Sequence, residues 1–223
     1  TAGGTDVAHL HDSVGDDLFL ATPEYGRLSG DNFWNWASGF ERTRAYASAG
    51  FDVARFHDSA GSDRYIGTVE YGRMDGDGFW NWAGGFDETR VLATGGGADR
   101  AFLYDSKLDD TFLSKSDYVY MSGPGFYHFV RGFPHVRAFS QLGGADRAHL
   151  YDTPANDTFL ARPEYAYLDG DVYRFVRGFE GVRAYAFAGG FDQAHLYDSP
   201  GDDLLIAQPE YSRLSGSGFW NWA

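Results

Sequence analysis

Asp6, Asp52, Asp99, Asp146 and Asp192 follow one another at steps of 46 or 47 residues, and no other property of this 223-residue chain constrains its fold so tightly. The same steps link Asp12, Asp58, Asp105, Asp152 and Asp198, then Asp17, Asp63, Asp110, Asp157 and Asp203, then Tyr25, Tyr71, Tyr118, Tyr165 and Tyr211. A shared unit emerges: G-x-D-x-A-x-L-x-D-S, x-D-x-F-x-A-x-P-E-Y-x-x-L-x-G, G-F-x-x-x-x-G-F and x-x-x-R-A-Y-A. The chain divides into five units, about residues 1–46, 47–93, 94–140, 141–186 and 187–223, the last incomplete, and reads as an excerpt of a longer array. A unit of this size cannot bury its apolar face alone and does so by stacking on its neighbours.

Within the unit apolar and polar residues alternate, the period of strands rather than helices. Ala8 and Leu10 become Ala101 and Leu103 in the third unit, while Val7, His9 and His11 become Arg100, Phe102 and Tyr104. The Ala/Leu face is therefore expected inside. Phe19, Tyr65, Phe112, Phe159 and Leu205 share a second inward slot, and Leu28, Met74, Met121, Leu168 and Leu214 a third. Turn residues punctuate these strands, as at Val14-Gly15-Asp16, Pro23-Glu24 and Ser29-Gly30. The expected fold is all-β, a parallel β-solenoid of β-helix or β-roll type with two rungs per unit. The alternative is a five-bladed β-propeller with one blade per unit. A closed ring of five would lack the residues equivalent to 38–46 and leave an unpaired edge, which favours the solenoid.

All six tryptophans sit in three copies of FWNWA, as Trp34 and Trp36, Trp80 and Trp82, and Trp220 and Trp222. Their places are taken by Tyr127 and Phe129 in the third unit and by Tyr173 and Phe175 in the fourth. Asn35, between the first pair, becomes His128 and Arg174. The variable polar side is expected to face water, and the aromatic side to be buried or to form a ladder between units. The competing expectation is an exposed strip of Trp34, Trp36, Trp80, Trp82, Tyr127, Tyr173, Trp220 and Trp222 that stacks on glycans or docks a partner.

With 18 basic against 32 acidic residues the net charge is −14, which disfavours nucleic acid and anionic membranes as partners. No apolar run reaches the roughly 18 residues of a membrane span, so insertion is not expected. The absence of cysteine excludes disulfides, thiolate metal sites and a cysteine nucleophile. No unit carries an added acid, base or nucleophile, so no enzymatic activity is expected. His9 recurs as His149 and His195 but gives way to Arg55 and Phe102, which argues against a general metal site there.

The segments GGTDVAHL, GDDLFL, NDTFLA and GDDLLIA resemble the hemolysin-type calcium-binding (RTX) repeat, whose nonapeptide has the form G-G-x-G-x-D-x-U-x. The whole unit resembles the long tandem arrays of very large secreted or surface proteins of bacteria. The resemblance implies a parallel β-roll, an extracellular or cell-surface location, and Ca2+ held at the turns. The carboxylates it marks are Asp6, Asp16, Asp17, Asp52, Asp63, Asp99, Asp109, Asp110, Asp146, Asp157, Asp192, Asp202 and Asp203. Calcium needs several hard oxygens, which aspartates and turn carbonyls supply. The structural alternative is that Asp6, Asp12 and Asp17 accept backbone amides in turns. On that view the Arg44, Arg90, Arg137 and Arg183 series pairs with carboxylates across rungs. A recurring acidic position at Glu24, Glu70, Asp117, Glu164 and Glu210 completes the charged set. The function expected is structural: a stalk, matrix element or head-to-tail filament made by self-association. A carbohydrate-binding adhesin module is the alternative, with glycans as partners.

Overall fold

The computed structural model describes residues 4–223, and every regular element in them is a strand. The first repeat gives β1 (Val7–His11), β2 (Leu18–Ala21), β3 (Tyr25–Gly30), β4 (Phe33–Ser38) and β5 (Arg42–Tyr46). The second gives β6 (Val53–His57), β7 (Arg64–Gly67), β8 (Tyr71–Gly76), β9 (Phe79–Gly84) and β10 (Glu88–Leu92). The third gives β11 (Arg100–Tyr104), β12 (Thr111–Ser114), β13 (Tyr118–Gly123), β14 (Phe126–Arg131) and β15 (His135–Phe139). The fourth gives β16 (Arg147–Tyr151), β17 (Thr158–Ala161), β18 (Tyr165–Asp169), β19 (Tyr173–Arg177) and β20 (Gly181–Tyr185). The fifth ends the chain with β21 (Gln193–Leu196), β22 (Leu204–Gln208), β23 (Tyr211–Gly216) and β24 (Phe219–Trp222).

The strands group into two compact units, one reaching Phe102 and including Gly125–Phe133, the other made of Leu103–Pro124 and Pro134–Ala223. In the first, one sheet runs β1-β5-β9-β8-β7 and a second runs β4-β3-β2-β6-β10-β14. Here β1, β5 and β9 are parallel, as are β2, β6, β10 and β14, whereas β2-β3-β4 and β7-β8-β9 are antiparallel meanders. In the second unit the sheets run β13-β12-β16-β20-β24-β23-β22 and β15-β19-β18-β17-β21, built the same way.

Stacked parallel coils make this a β-solenoid. A propeller blade is an antiparallel sheet throughout, so the coil-to-coil parallel pairing rules that alternative out. The coils differ from two rungs per repeat. Parallel partners lie 34 to 39 residues apart, from Arg147↔Gly181 to Glu88↔Tyr127, because each coil also carries a meander. In the first unit β2–β4 join the sheet of β6 and β10, while β7–β9 join that of β1 and β5, so successive repeats give their meanders to opposite sheets.

Alternation builds the core as expected. Ala54, Phe56, Ala101, Leu103, Ala148 and Leu150 are fully buried. Phe19, Tyr65, Phe112 and Phe159 fill the second slot, and Leu28, Met74, Met121, Leu168 and Leu214 the third. Leu205 departs from its series at 59% exposed, since β22 ends its sheet and no coil lies beyond it among the described residues. At the hairpins, aspartate replaces steric freedom: a Cβ on Gly30 would sit 1.6 Å from Asp17 Oδ1, and one on Gly76 1.8 Å from Asp63 Oδ1. Only glycine lets the β3 and β8 backbones close over those carboxylates.

Candidate functional site

The recurring aspartates lie at the turns where one coil meets the next, and most of them accept backbone amides. Asp17 Oδ2 accepts the Ser13 N–H at 2.8 Å and its O–H at 2.9 Å, and the pattern repeats at Asp63 with Ser59, Asp157 with Thr153 and Asp203 with Ser199. The Asp17 N–H in turn donates to Asp52 Oδ1 in the next coil at 2.8 Å, and the Asp52 N–H donates to Asp87 Oδ2 at 2.9 Å. The same ladder runs from the Asp110 N–H to Asp146 Oδ1 and from the Asp146 N–H to Glu180 Oε2. Asp12, Asp58, Asp105 and Asp152 accept amides from the following coil, as at Ser48, Thr94, Gln141 and Ala188. These bonds knit coils at turns where the strand ladders have ended, so buried amides keep partners.

Three sets of carboxylates converge: Asp12, Asp17 and Asp52; Asp58, Asp63 and Asp99; and Asp105, Asp110 and Asp146. In each set one oxygen per residue lies within 4.8 Å of the others. The second and third sets are buried throughout, with Asp146 wholly inaccessible. The ion pairs Arg64–Asp75, Arg73–Asp75 and Arg90–Glu88 involve no triad carboxylate. Two ionised groups at such a separation repel by roughly 3 kcal/mol at an effective dielectric near 20. Burial is the main cause that pushes Asp52 up to about 6, the neighbouring charges of Asp12, Asp17 and Asp87 add to it, and the Asp17 amide opposes it. Burial likewise raises Asp63, Asp99, Asp110, Asp146 and Asp157. Such a site favours whatever removes negative charge, a proton or a hard cation.

The residues fit a divalent cation in part. Calcium–oxygen distances of about 2.3–2.6 Å allow two ligands of one ion to sit nearly 5 Å apart, which matches the triads. In the third triad Asp105 Oδ1 is buried with no hydrogen-bond partner, its Oδ2 taking the Gln141 and Leu142 amides. Asp17 Oδ1 and Asp157 Oδ1 are also unpartnered, but they press on Gly30 and Gly170 and belong to the hairpins.

Of the carboxylates singled out from sequence, Asp17, Asp52, Asp63, Asp99, Asp110 and Asp146 enter triads. Asp157 and Asp192 are joined by a hydrogen bond from the Asp157 N–H and line a small cavity of about 120 Å3 with Asp152. Asp6 is exposed, with its N–H on Glu41 Oε2. Asp16 and Asp109 are exposed and accept the Phe51 and Ala145 amides, and Asp202 and Asp203 enter no triad. The triad members missing from that list are Asp12, Asp58 and Asp105, whose constant five-residue lead on Asp17, Asp63 and Asp110 was the available signal. The Glu24, Glu70, Asp117, Glu164 and Glu210 series stays at exposed turns.

Two expectations are reversed. The residues between paired aromatics face inward, not to water: Asn81, His128, Arg174 and Asn221 are each 2–3% exposed. Each meets a polar group about 60 residues earlier. Asn81 Nδ2 donates to Thr22 O at 2.9 Å and Asn221 Nδ2 to Arg162 O at 3.2 Å. His128 Nε2 lies 2.8 Å from Thr68 O, and Arg174 Nε donates to Ser114 Oγ at 3.1 Å. Tyr65 OH and Thr89 Oγ1 complete the His128 cluster. Burial lowers His128 to about 4 and Arg174 to about 10. The aromatics consequently point outward and are half-buried in a ladder, Trp82 beside Tyr46 and Tyr71, Trp222 beside Tyr185 and Tyr211.

The second reversal concerns arginine. Arg44 lies over the Trp80 ring at 5.2 Å, Arg183 over Trp220 at 5.0 Å and Arg137 over Phe175 at 5.7 Å, so this series covers aromatics rather than carboxylates. Arg90 alone makes an ion pair, with Glu88 on its own strand.

Compared with protein-family models, with curated proteins and with solved structures, the chain finds no match.

Proposed function

We propose that the chain is a structural tandem-repeat element, displayed outside the cell as a stalk, matrix component or head-to-tail filament and stabilised by calcium at its turn carboxylates. The observation that carries this reading is the recurrence of the same contacts from coil to coil: carboxylate to amide, inward amide to carbonyl, and arginine over aromatic. What recurs in successive units serves the stack, and linear stacks extend by adding neighbours. Calcium would be held by the triads, with Asp105, Asp110 and Asp146 the set that retains an unused buried oxygen. The ion would supply the positive charge that these carboxylates lack. Electron microscopy of the material as it occurs at its source tests the reading: continuous fibres support it, and discrete particles of fixed size refute it.

Carbohydrate binding is the second reading, and the observation favouring it is local. Trp34 and Trp36 are 66% and 49% exposed and line an open groove of about 650 Å3 with Arg27 and Ser29. Exposed indoles beside a guanidinium suit the apolar faces and hydroxyls of a sugar. Saturable quenching of tryptophan fluorescence by soluble glycans, lost in Trp34→Ala, would support it, and indifference to every glycan would dismiss it.

A further inference from the structure

Four internal junctions show what covers an aromatic pair. Strand β5 lies parallel on β9 with Arg42↔Trp80 and Arg44↔Trp82, β10 lies on β14 with Arg90↔Phe129, β15 on β19 with Arg137↔Phe175, and β20 on β24 with Arg183↔Trp222. One backbone bond is common to all four. The N–H of the first aromatic donates to the residue preceding the covering strand: Trp80 to Glu41 O at 2.9 Å, Tyr127 to Asp87 O at 3.0 Å, Tyr173 to Pro134 O at 2.9 Å and Trp220 to Glu180 O at 2.8 Å.

Strand β4 is the exception, because it ends its sheet. The Trp34 N–H has no such acceptor among the described residues. Both indoles stand exposed where their counterparts are half-buried, and Asn35 is exposed where Asn81 and Asn221 are buried.

We propose that the outer edge of β4 is a docking slot for one further parallel strand of the R-x-R-A-Y kind, supplied by another repeat of this type. The inference rests on the assembly reading above and names its partner. In the register of β5 on β9 the incoming strand sets its arginines against Trp34 and Trp36 and its tyrosine beside Trp36, while its leading carbonyl takes the Trp34 N–H. This is strand addition to an open edge, with main-chain bonds giving affinity and the side-chain pattern giving selectivity. Strands β5, β10 and β20 are already paired on both sides, so they are not available to dock on another copy. In the second unit β21 lacks the parallel neighbour that β16 has in β20. A further strand of the same kind fits that place too.

The test uses the 223-residue protein and a synthetic peptide of residues 38–47, SGFERTRAYA, titrated to about 1 mM, with amide exchange read by NMR. The expected result is that exchange at the Trp34 amide slows about tenfold or more while the Trp80 amide is unaffected. A peptide with serine at both arginine positions, and the Trp34→Ala/Trp36→Ala protein, should each bind about tenfold more weakly or worse. That variant alters exposed side chains only, and its folding is checked by the unchanged exchange at Trp80. An unprotected Trp34 amide at the highest peptide concentration overturns the proposal, as does equal binding by the serine peptide. Sedimentation of the same samples separates the two readings. Trp34 protection in a protein that stays monomeric keeps the slot and removes the filament, whereas assembly with Trp34 still exchanging freely removes the slot.

Discussion

Consider Asp52→Asn in buffer stripped of divalent cations. Asp52 is 1% exposed, sits against Asp12 and Asp17, and has its carboxyl pushed up to about 6 from an ordinary 3.8. Below about pH 4 both folded and unfolded chains hold the proton. Between about 4 and 6 only the folded chain does, so stability falls as pH rises through that window and stays lower above it. Each pKa unit corresponds to about 1.4 kcal/mol, so the full cost approaches about 3 kcal/mol, and we discount it to about 2 for solvent screening at the turn. Asparagine keeps an oxygen for the Asp17 N–H and cannot ionise. The variant should match the wild type near pH 4 and exceed it at pH 7.5 by about 2 kcal/mol, or about 4–8 °C in melting temperature for a chain of this length. Thermal unfolding at the two pH values is the assay. A variant destabilised equally at both would show that the ionised carboxylate anchors the turn, and the charge argument would fail.

Other consequences follow from single contacts. Gly76→Ala should destabilise by about 2–4 kcal/mol, because the added methyl lands on Asp63 Oδ1 and 2.5 Å from Phe79 Cε1, while Gly61→Ala, 3.4 Å from Ser59 Oγ, should stay within about 0.5 kcal/mol; urea unfolding compares them. Asn81→Leu should cost about 1–3 kcal/mol by leaving Thr22 O unpaired, whereas Asn35→Leu should be nearly neutral. Millimolar calcium should raise the melting temperature at pH 7.5 and less at pH 4.5, since protons compete for the same carboxylates. No calcium effect at either pH would remove the ion from the account.

Much of the architecture is legible in the sequence because stacking demands repetition and sheets demand alternation. Ala8/Leu10 and Leu28/Met74 declare inward faces by staying apolar while their neighbours vary. Pairing partners are less legible, since a period of two says which face a residue takes but not which strand lies beside it. The alternation of meanders between sheets is therefore visible only in the fold. At Asn35, Asn81, His128, Arg174 and Asn221 variability suggested water. Four of these five are buried, and each reaches a polar group in the preceding coils, a backbone carbonyl for Asn81, His128 and Asn221 and Ser114 Oγ for Arg174. The triads are half legible: the recurrence of Asp12, Asp17 and Asp52 is plain, but their convergence depends on a coil of 35 residues that spacing within one repeat does not reveal.

In an open stack of repeats each coil needs only its neighbours. Removing two whole repeats, residues 94–186, joins Ala93 to Phe187 in the register that Ala186 already has. Far-ultraviolet circular dichroism with thermal unfolding of the shortened chain is the most direct measurement. An open stack predicts a folded β protein that melts cooperatively, with stability reduced by the lost interfaces alone. An unfolded or aggregated product would contradict it.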